Sequence, residues 1–405
     1  MKISQNTLVE AVKELRKIVP KSPAIAAFAC IKVSLDAQGT HLEATDGEGA
    51  GTIHATASIL APTTGLAAKI AALRAARETG SVLINADVLL ESAKLADAGS
   101  ELDITSSDIH LQINGQLTTI PTGGYDVANF PASTLVNRSG FRLDSKAIKL
   151  ALPFASKDKT RQILNSVYWD KNQIIATDGR RLHMEEANLE CPRPTGAIFP
   201  IKICQLIPET CDVHFQGETA AVSYSLNSLN VRLTFKLQEK YPNYRQVIPE
   251  ASGNSFTINH EECLSRLKRI ISSTKANVEL KITPAANAVT FCIQIENGIQ
   301  VPFTLPAIIK GAPQTTSFDP SFIIQALEAK VNTFDMQDGT SPARITGARG
   351  KLHVAMPLRG SKYSPAEPEA DPEAVTAPQK PSRPPVRKSN IKFGSSTRKI
   401  SAPCA

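Results

Sequence analysis

Ala44-Thr45-Asp46-Gly47-Glu48 closes one apolar run, and Ala176-Thr177-Asp178-Gly179-Arg180 closes another 132 residues later. Each follows a strand-like stretch, Thr40-His41-Leu42-Glu43 in the first case and Gln173-Ile174-Ile175 in the second. A strand that runs into Thr-Asp-Gly turns there. Asp accepts a hydrogen bond from a backbone N–H two residues on, and Gly tolerates positive φ. The same strand-end turn used twice points to duplicated domains.

Working outward from these turns, three stretches open alike, with an apolar strand residue, a polar helix start and an amphipathic helix. They begin at Ile3-Ser4-Gln5, Leu143-Asp144-Ser145 and Ile258-Asn259-His260. Leu8, Val12 and Leu15 share helical spacing, as do Leu264, Leu267 and Ile271. Ser4, Asp144 and Asn259 are suited to cap or precede those helices. A second phrase, strand then helix, also occurs three times. Val82-Leu83-Ile84 precedes 86–95, Ala197-Ile198-Phe199 precedes 201–207, and Ser317-Phe318 precedes 320–329. Anchored on Ile84, Phe199 and Phe318, the spacings are 115 and 119 residues, the size of one small domain. Alternating segments such as 109–113, 231–235 and 289–293 read as antiparallel strands with one buried face. The reading is an α+β chain of three units, each with two helices on one side of β-sheet. An α+β chain without true repeats is the alternative that periodicity leaves open.

At 405 residues the chain has room for two or three domains, and 42% hydrophobic with 20% charged residues is an ordinary globular composition. No apolar run reaches the length of a membrane span, and Met-Lys-Ile-Ser-Gln carries no secretory signature. Seven scattered cysteines without a C-x-x-C pair argue for a reducing, cytoplasmic setting and give no metal signature. Two segments stand outside the repeat. Residues 65–79 are Ala-rich and helix-favouring. Residues 360–405 carry eight Lys/Arg against four Asp/Glu and eight prolines, a composition expected to be disordered, with a basic charge suited to nucleic acid or to solubility.

Four phrases in order complete the picture. They are Ser156-Lys157-Asp158-Lys159-Thr160-Arg161-Gln162-Ile163-Leu164-Asn165, then Ile175-Ala176-Thr177-Asp178-Gly179-Arg180-Arg181-Leu182, then Tyr241-Pro242-Asn243-Tyr244-Arg245-Gln246-Val247-Ile248-Pro249, then Val354-Ala355-Met356-Pro357-Leu358-Arg359. Together they resemble the bacterial DNA polymerase III β subunit family, the sliding clamps, over roughly residues 1–359. The resemblance implies clamp domains at 1–139 (with a helical insertion at 65–79), 140–253 and 254–359, followed by the tail at 360–405. It implies three tandem repeats of the DNA-clamp fold, and two subunits joined head to tail in a ring with helices lining the hole. Such a ring is a processivity factor that grips duplex DNA topologically, without sequence readout. It needs no catalytic residue, metal or cofactor.

The resemblance also implies sites. A pocket for short linear peptides of the polymerase and clamp loader would be lined by Leu164, Thr177, Gly179, Arg180, Arg181, Leu182, Pro242, Val247, Val354, Met356, Pro357, Leu358 and Arg359. Lys21, Lys157, Lys159, Lys202, Lys268 and Arg269 would face DNA, attracting phosphates without fixing register. Ile270 and Ile271 on one side, and an edge strand near Leu117 on the other, would form the homodimer contact. Gln246 stands where many clamps have Arg, and Lys21-Ser22-Pro23-Ala24-Ile25-Ala26-Ala27-Phe28 replaces the family's proline-leucine-proline phrase. Two other readings stay open. One is an enzyme using His183 with Asp178 and Glu185, although charged residues just after a turn are ordinarily at the surface. The other is a diverged clamp paralogue that has lost ring closure and serves as a peptide-binding scaffold or competitor.

Overall fold

The computed structural model describes residues 5–36, 39–47, 53–60, 81–98, 102–104, 109–131, 140–158, 160–227, 229–238, 240–274, 277–296 and 298–358. The expected insertion at 65–79, the tail at 360–405, and Ser4, Lys159, Arg359 and Cys404 lie outside these described residues.

The described residues build one pattern six times: a helix, usually led in by a strand, and then three antiparallel strands. The first repeat holds α1 (Gln5–Arg16), β1 (Cys30–Asp36), β2 (Gly39–Thr45) and β3 (Ile53–Leu60), then β4 (Ser81–Asn85), α2 (Ala86–Leu95), β5 (Leu102–Ile104), β6 (Ile109–Ile113) and β7 (Gln116–Ile120). The second holds β8 (Phe141–Asp144), α3 (Lys146–Ala151), β9 (Ser166–Asp170), β10 (Gln173–Thr177) and β11 (Arg181–Glu186), then β12 (Ala197–Pro200), α4 (Ile201–Leu206), β13 (Thr210–Gln216), β14 (Thr219–Leu226) and β15 (Leu229–Lys236). The third holds β16 (Ser255–Ile258), α5 (His260–Ser272), β17 (Val278–Pro284), β18 (Ala288–Ile295) and β19 (Gln300–Lys310), then β20 (Thr316–Phe318), α6 (Pro320–Glu328), β21 (Val331–Asp335), β22 (Ala343–Gly347) and β23 (Leu352–Ala355).

Local chemistry explains where the helices start. Asn85 and Asn259 each accept hydrogen bonds from two backbone N–H groups of the first turn, and Asp319 accepts one ahead of Pro320. The Asp144 side chain accepts from the Lys146 N–H at 2.9 Å, while Ser145 occupies the cap position of α3. Leu8, Ala11, Val12 and Leu15 bury one stripe of α1, and Cys263 and Leu267 are buried on α5.

Sheets run across the repeat boundaries. One sheet has the order β4-β1-β2-β3-β15-β14-β13-β8, so the first repeat meets the second through β3 against β15, antiparallel from Asn230↔Ser58 to Phe235↔Ile53. The second meets the third through β11 against β23, from Arg181↔Ala355 to Met184↔Leu352. Both junctions follow one rule: the last strand of a repeat's first half pairs with the last strand of the next repeat's second half. One large core spans the first two repeats around Trp169, Phe154, Phe199 and Phe235. Another lies in the third around Phe256, Phe291, Phe318 and Phe334.

Candidate partner cleft and nucleic-acid interface

Both Thr-Asp-Gly phrases lie at repeat junctions with Gly at positive φ, and the second makes the predicted bond from an N–H two residues on to its Asp. In the first, the Gly47 N–H donates to Thr45 Oγ1 (3.1 Å), the Ile53 N–H donates to Asp46 Oδ1 (2.8 Å), and Gly47 has φ +55°. In the second, the Gly179 N–H donates to Thr177 Oγ1 (3.1 Å), and the Arg180 and Arg181 N–H groups donate to Asp178 Oδ1 (2.9 and 3.1 Å), with Gly179 at φ +88°. The hydroxyl of Thr177 also donates to the Arg181 carbonyl at 2.6 Å, pinning the turn across its mouth.

Several residues expected to line a peptide pocket lie around the second turn. The Met356 N–H donates to the Arg180 carbonyl (2.9 Å) and the Leu358 N–H to the Ser317 carbonyl (2.8 Å). The 356–358 segment therefore runs from the second repeat's turn to β20 of the third. Leu182 and Val354, cross-strand partners at this junction, lie buried in one apolar cluster with Ile175, Ile198, Tyr241, Tyr244 and Leu352. Pro242 and Val247 are exposed on the segment that Tyr241, Tyr244 and Ile248 anchor to that cluster. Val247 is 55% exposed, Leu358 40% and Met356 37%, large apolar side chains that water reaches. Leu164 is half-buried and Pro357 is buried.

The two arginines expected at this pocket differ. Arg180 is exposed. Arg181 is committed to the junction: its Nε donates to Asp178 Oδ2 (3.0 Å), Nη1 bonds Gln325 Oε1 of α6, and Nη2 donates to the Pro153 carbonyl (3.4 Å). Its guanidinium also lies over the Phe322 and Phe154 rings, 4.6 and 5.6 Å from their centroids. Sequence reasoning missed Gln325, Phe322 and Ser317, because nothing within α6 or β20 signals contact with a turn some 140 residues away. It also passed over Arg161, whose guanidinium comes within 3.7 Å of where a Cβ on Gly179 would sit. A tyrosine network backs the cluster. Tyr168 stacks on Tyr241 at 4.6 Å, and the buried Asp170 carboxylate accepts from the Tyr244 hydroxyl (2.8 Å) and Arg245 Nη2 (2.6 Å). Burial and the Asp170 charge push the Tyr244 pKa up, so its hydroxyl stays a donor.

The expected placement of His183 and Glu185 at the surface is corrected. Both are buried, because the face of β11 they share packs beneath α3 and Phe154, with His353 and Lys351 beside them. His183 Nε2 lies 3.0 Å from Glu185 Oε1, Lys351 Nζ lies 2.9 Å from the same oxygen, and the His183 ring stacks on Phe154 at 4.2 Å. Asp178 is occupied by the turn and by Arg181. The three residues are thus not gathered around a space a substrate could enter. His353, directly across the junction from His183, is fully buried, and neither of its ring nitrogens has a hydrogen-bond partner. Burial lowers the pKa of both histidines, that of His353 well below its usual value.

The residues expected to face DNA separate into two groups. Lys21 and Lys202 line a cleft of about 1010 Å³ at the first junction, together with Arg16, Lys17, Gln162 and Asn165. Within it Lys202 Nζ donates to the Ile18 carbonyl (2.7 Å) and bonds Asp46 Oδ2 (3.3 Å), so this lysine ties the first repeat to the second. Lys157 and Arg269 are exposed, and Lys268 pairs with Glu328 across α5 and α6 at 2.7 Å. Of the expected dimer residues, Leu117 is 61% exposed on β7, whereas Ile270 and Ile271 are partly buried against the third repeat's core. Among the described residues no cluster of His, Cys, Asp and Glu could hold a metal ion, and no helix is long and apolar enough to cross a membrane.

Comparison with known proteins agrees with this architecture. No family model matches the chain. The Beta sliding clamp of Synechococcus elongatus is 24% identical over 306 residues, covering 67% of this chain and 81% of that protein. That of Synechocystis is 26% identical over 317 residues, covering 69% and 79%. Among solved structures, the sliding clamp of Caulobacter crescentus superposes with a TM-score of 0.73 at 18% identity, and that of Bacillus subtilis with 0.72 at 16%, each covering 89% of this chain and 99% of the other.

Proposed function

We propose that this divergent homologue of the bacterial β sliding clamps is a DNA polymerase processivity factor, a non-enzymatic ring that encircles duplex DNA and tethers partners through the cleft at its second junction. The observation that carries the reading is the junction rule. Within one chain, β3 pairs with β15 and β11 with β23. The same rule leaves β19 of the third repeat and β7 of the first as complementary ends of a missing junction. Two copies placed head to tail satisfy both ends at once and close, which a heterologous contact must do to avoid a filament. On this reading Leu117 sits on the closing strand β7, and Ile270 and Ile271 support the third repeat beside it.

Grip then needs no base contact. Lys21, Lys157 and Arg269 supply mobile positive charge toward phosphates, which predicts a salt-sensitive but sequence-independent interaction. The exposed Val247, Met356 and Leu358 offer apolar anchors for a short peptide of a polymerase or loader, and Arg180 supplies charge at their edge.

The test is retention of the loaded protein on nicked circular DNA, before and after linearisation. A ring stays on the circle and runs off the line; equal loss from both refutes encirclement. A triple variant, Val247→Ala with Met356→Ala and Leu358→Ala, is expected to weaken binding of a polymerase-derived peptide by tenfold or more while leaving circle retention intact.

A further inference from the structure

The two edges that would meet at ring closure are chemically unequal. Strand β19 pairs with β18 over residues 300–306, while β16 covers its opposite edge only from Ala307 to Lys310. Among the described residues, nothing pairs with that opposite edge from Gln300 to Pro306. The direction of each backbone group follows from the ladder. The Ala307 N–H donates to the Asn287 carbonyl (3.0 Å) and the Ile299 carbonyl accepts from the Ile295 N–H (2.9 Å), so odd-numbered residues of β19 face β18. Alternation in an antiparallel ladder then turns residues 300, 302, 304 and 306 toward the open edge. Two of these four are Pro302 and Pro306, both exposed.

The facing edge is short. Asn114 and Gly115, with φ of 54° and 77°, make a two-residue hairpin turn between β6 and β7, so Ile113 and Gln116 are a hydrogen-bonded pair. Counting outward by two, Leu117 and Thr119 are the β7 residues whose backbone groups point away from β6. Any antiparallel register that seats both of them on neighbouring outward positions of β19 (300 with 302, 302 with 304, or 304 with 306) meets one proline. That pair loses one of its two bonds, and the proline ring fills the space where the hydrogen would have been. The strands of the two complete junctions, β3, β15, β11 and β23, contain no proline, and neither does β7.

Resting on the ring reading above, we infer that Pro302 and Pro306 make β19 a partly blocked edge, which a second copy of this chain can join only through an incomplete backbone ladder. The ring is accordingly held loosely and opens readily. The same prolines keep an exposed strand from pairing with unrelated edges.

Sedimentation across a concentration series tests this with the full chain and with Pro302→Thr, Pro306→Thr and the double variant. Restored donors are expected to tighten the dimer Kd by about fivefold for each bond regained. At least one single variant and the double variant should show it, while the unfolding temperature of the monomer moves little. Species larger than the dimer in the double variant would equally show an edge that the prolines had closed. A wild-type dimer whose Kd stays within twofold in all three variants overturns the inference and leaves the ring reading standing. Monomers throughout, wild type and double variant alike, overturn the inference as well, and loss of circle retention in the same preparation then removes the ring reading too.

Discussion

Replacing Arg181 separates a junction strut from a peptide-steering charge. In Arg181→Ala the Asp178 carboxylate loses its charge-assisted partner, Gln325 and the Pro153 carbonyl lose a donor each, and two aromatic rings lose a cation on their faces. A hydrogen bond to a charged group contributes about 1.5–3 kcal/mol and a neutral one about 1. The Pro153 contact is long, and Asp178 keeps its two turn N–H donors, so the sum is held to about 3 kcal/mol. Arg181→Lys, which keeps charge but not the planar fork, should cost about half of that. Trp169 is the chain's single tryptophan and is fully buried in β9, so its fluorescence during urea unfolding reports on the second repeat. A double-mutant cycle with Gln325→Ala should return a coupling of at least about 0.5 kcal/mol. The exposed Arg180→Ala, by contrast, should leave stability within about 0.5 kcal/mol and weaken an acidic peptide in a salt-dependent way. An Arg181→Ala cost below about 1 kcal/mol, or zero coupling to Gln325, would refute the strut.

The two copies of Thr-Asp-Gly should respond unequally to one substitution. A Cβ on Gly47 would lie 2.2 Å from the buried Phe28 ring, whereas on Gly179 it meets only the end of Arg161, so Gly47→Ala should cost about 2–4 kcal/mol and Gly179→Ala about 1, read from denaturation midpoints. Acid should loosen the second junction. His183 and His353 have folded pKa values below their unfolded value, so their effect is absent above about pH 6.5 and stability falls as pH drops below it, by about 1.4 kcal/mol per unit for each histidine that stays neutral. His353→Leu removes two unpartnered ring nitrogens and should roughly halve the loss measured between pH 7.5 and 5.5; an unchanged slope would exclude His353 as a source.

The strand-to-turn phrases, the helix starts and the apolar stripes were legible in the sequence because each depends on bonds reaching only a few residues. Thr45 to Gly47 and Asn259 to Glu262 fold the same way wherever the chain places them. So was the resemblance to the β sliding clamps, since its four phrases are local motifs in a fixed order. Much of the candidate cleft followed from that resemblance, but the division of labour inside it did not. Whether Arg181 faces solvent or binds Gln325, 144 residues on, depends on how α6 docks. That Lys202, expected from the resemblance to face DNA, also bonds a carbonyl 184 residues earlier depends on how the first two repeats meet. His183 and Glu185 are buried because α3 and Phe154 pack on their face of β11 and His353 and Lys351, from the far end of the chain, close its side. The two prolines of β19 are plain in the sequence, yet only the ladder decides that both point their missing donors at the open edge, since a shift of one residue would have turned them toward β18.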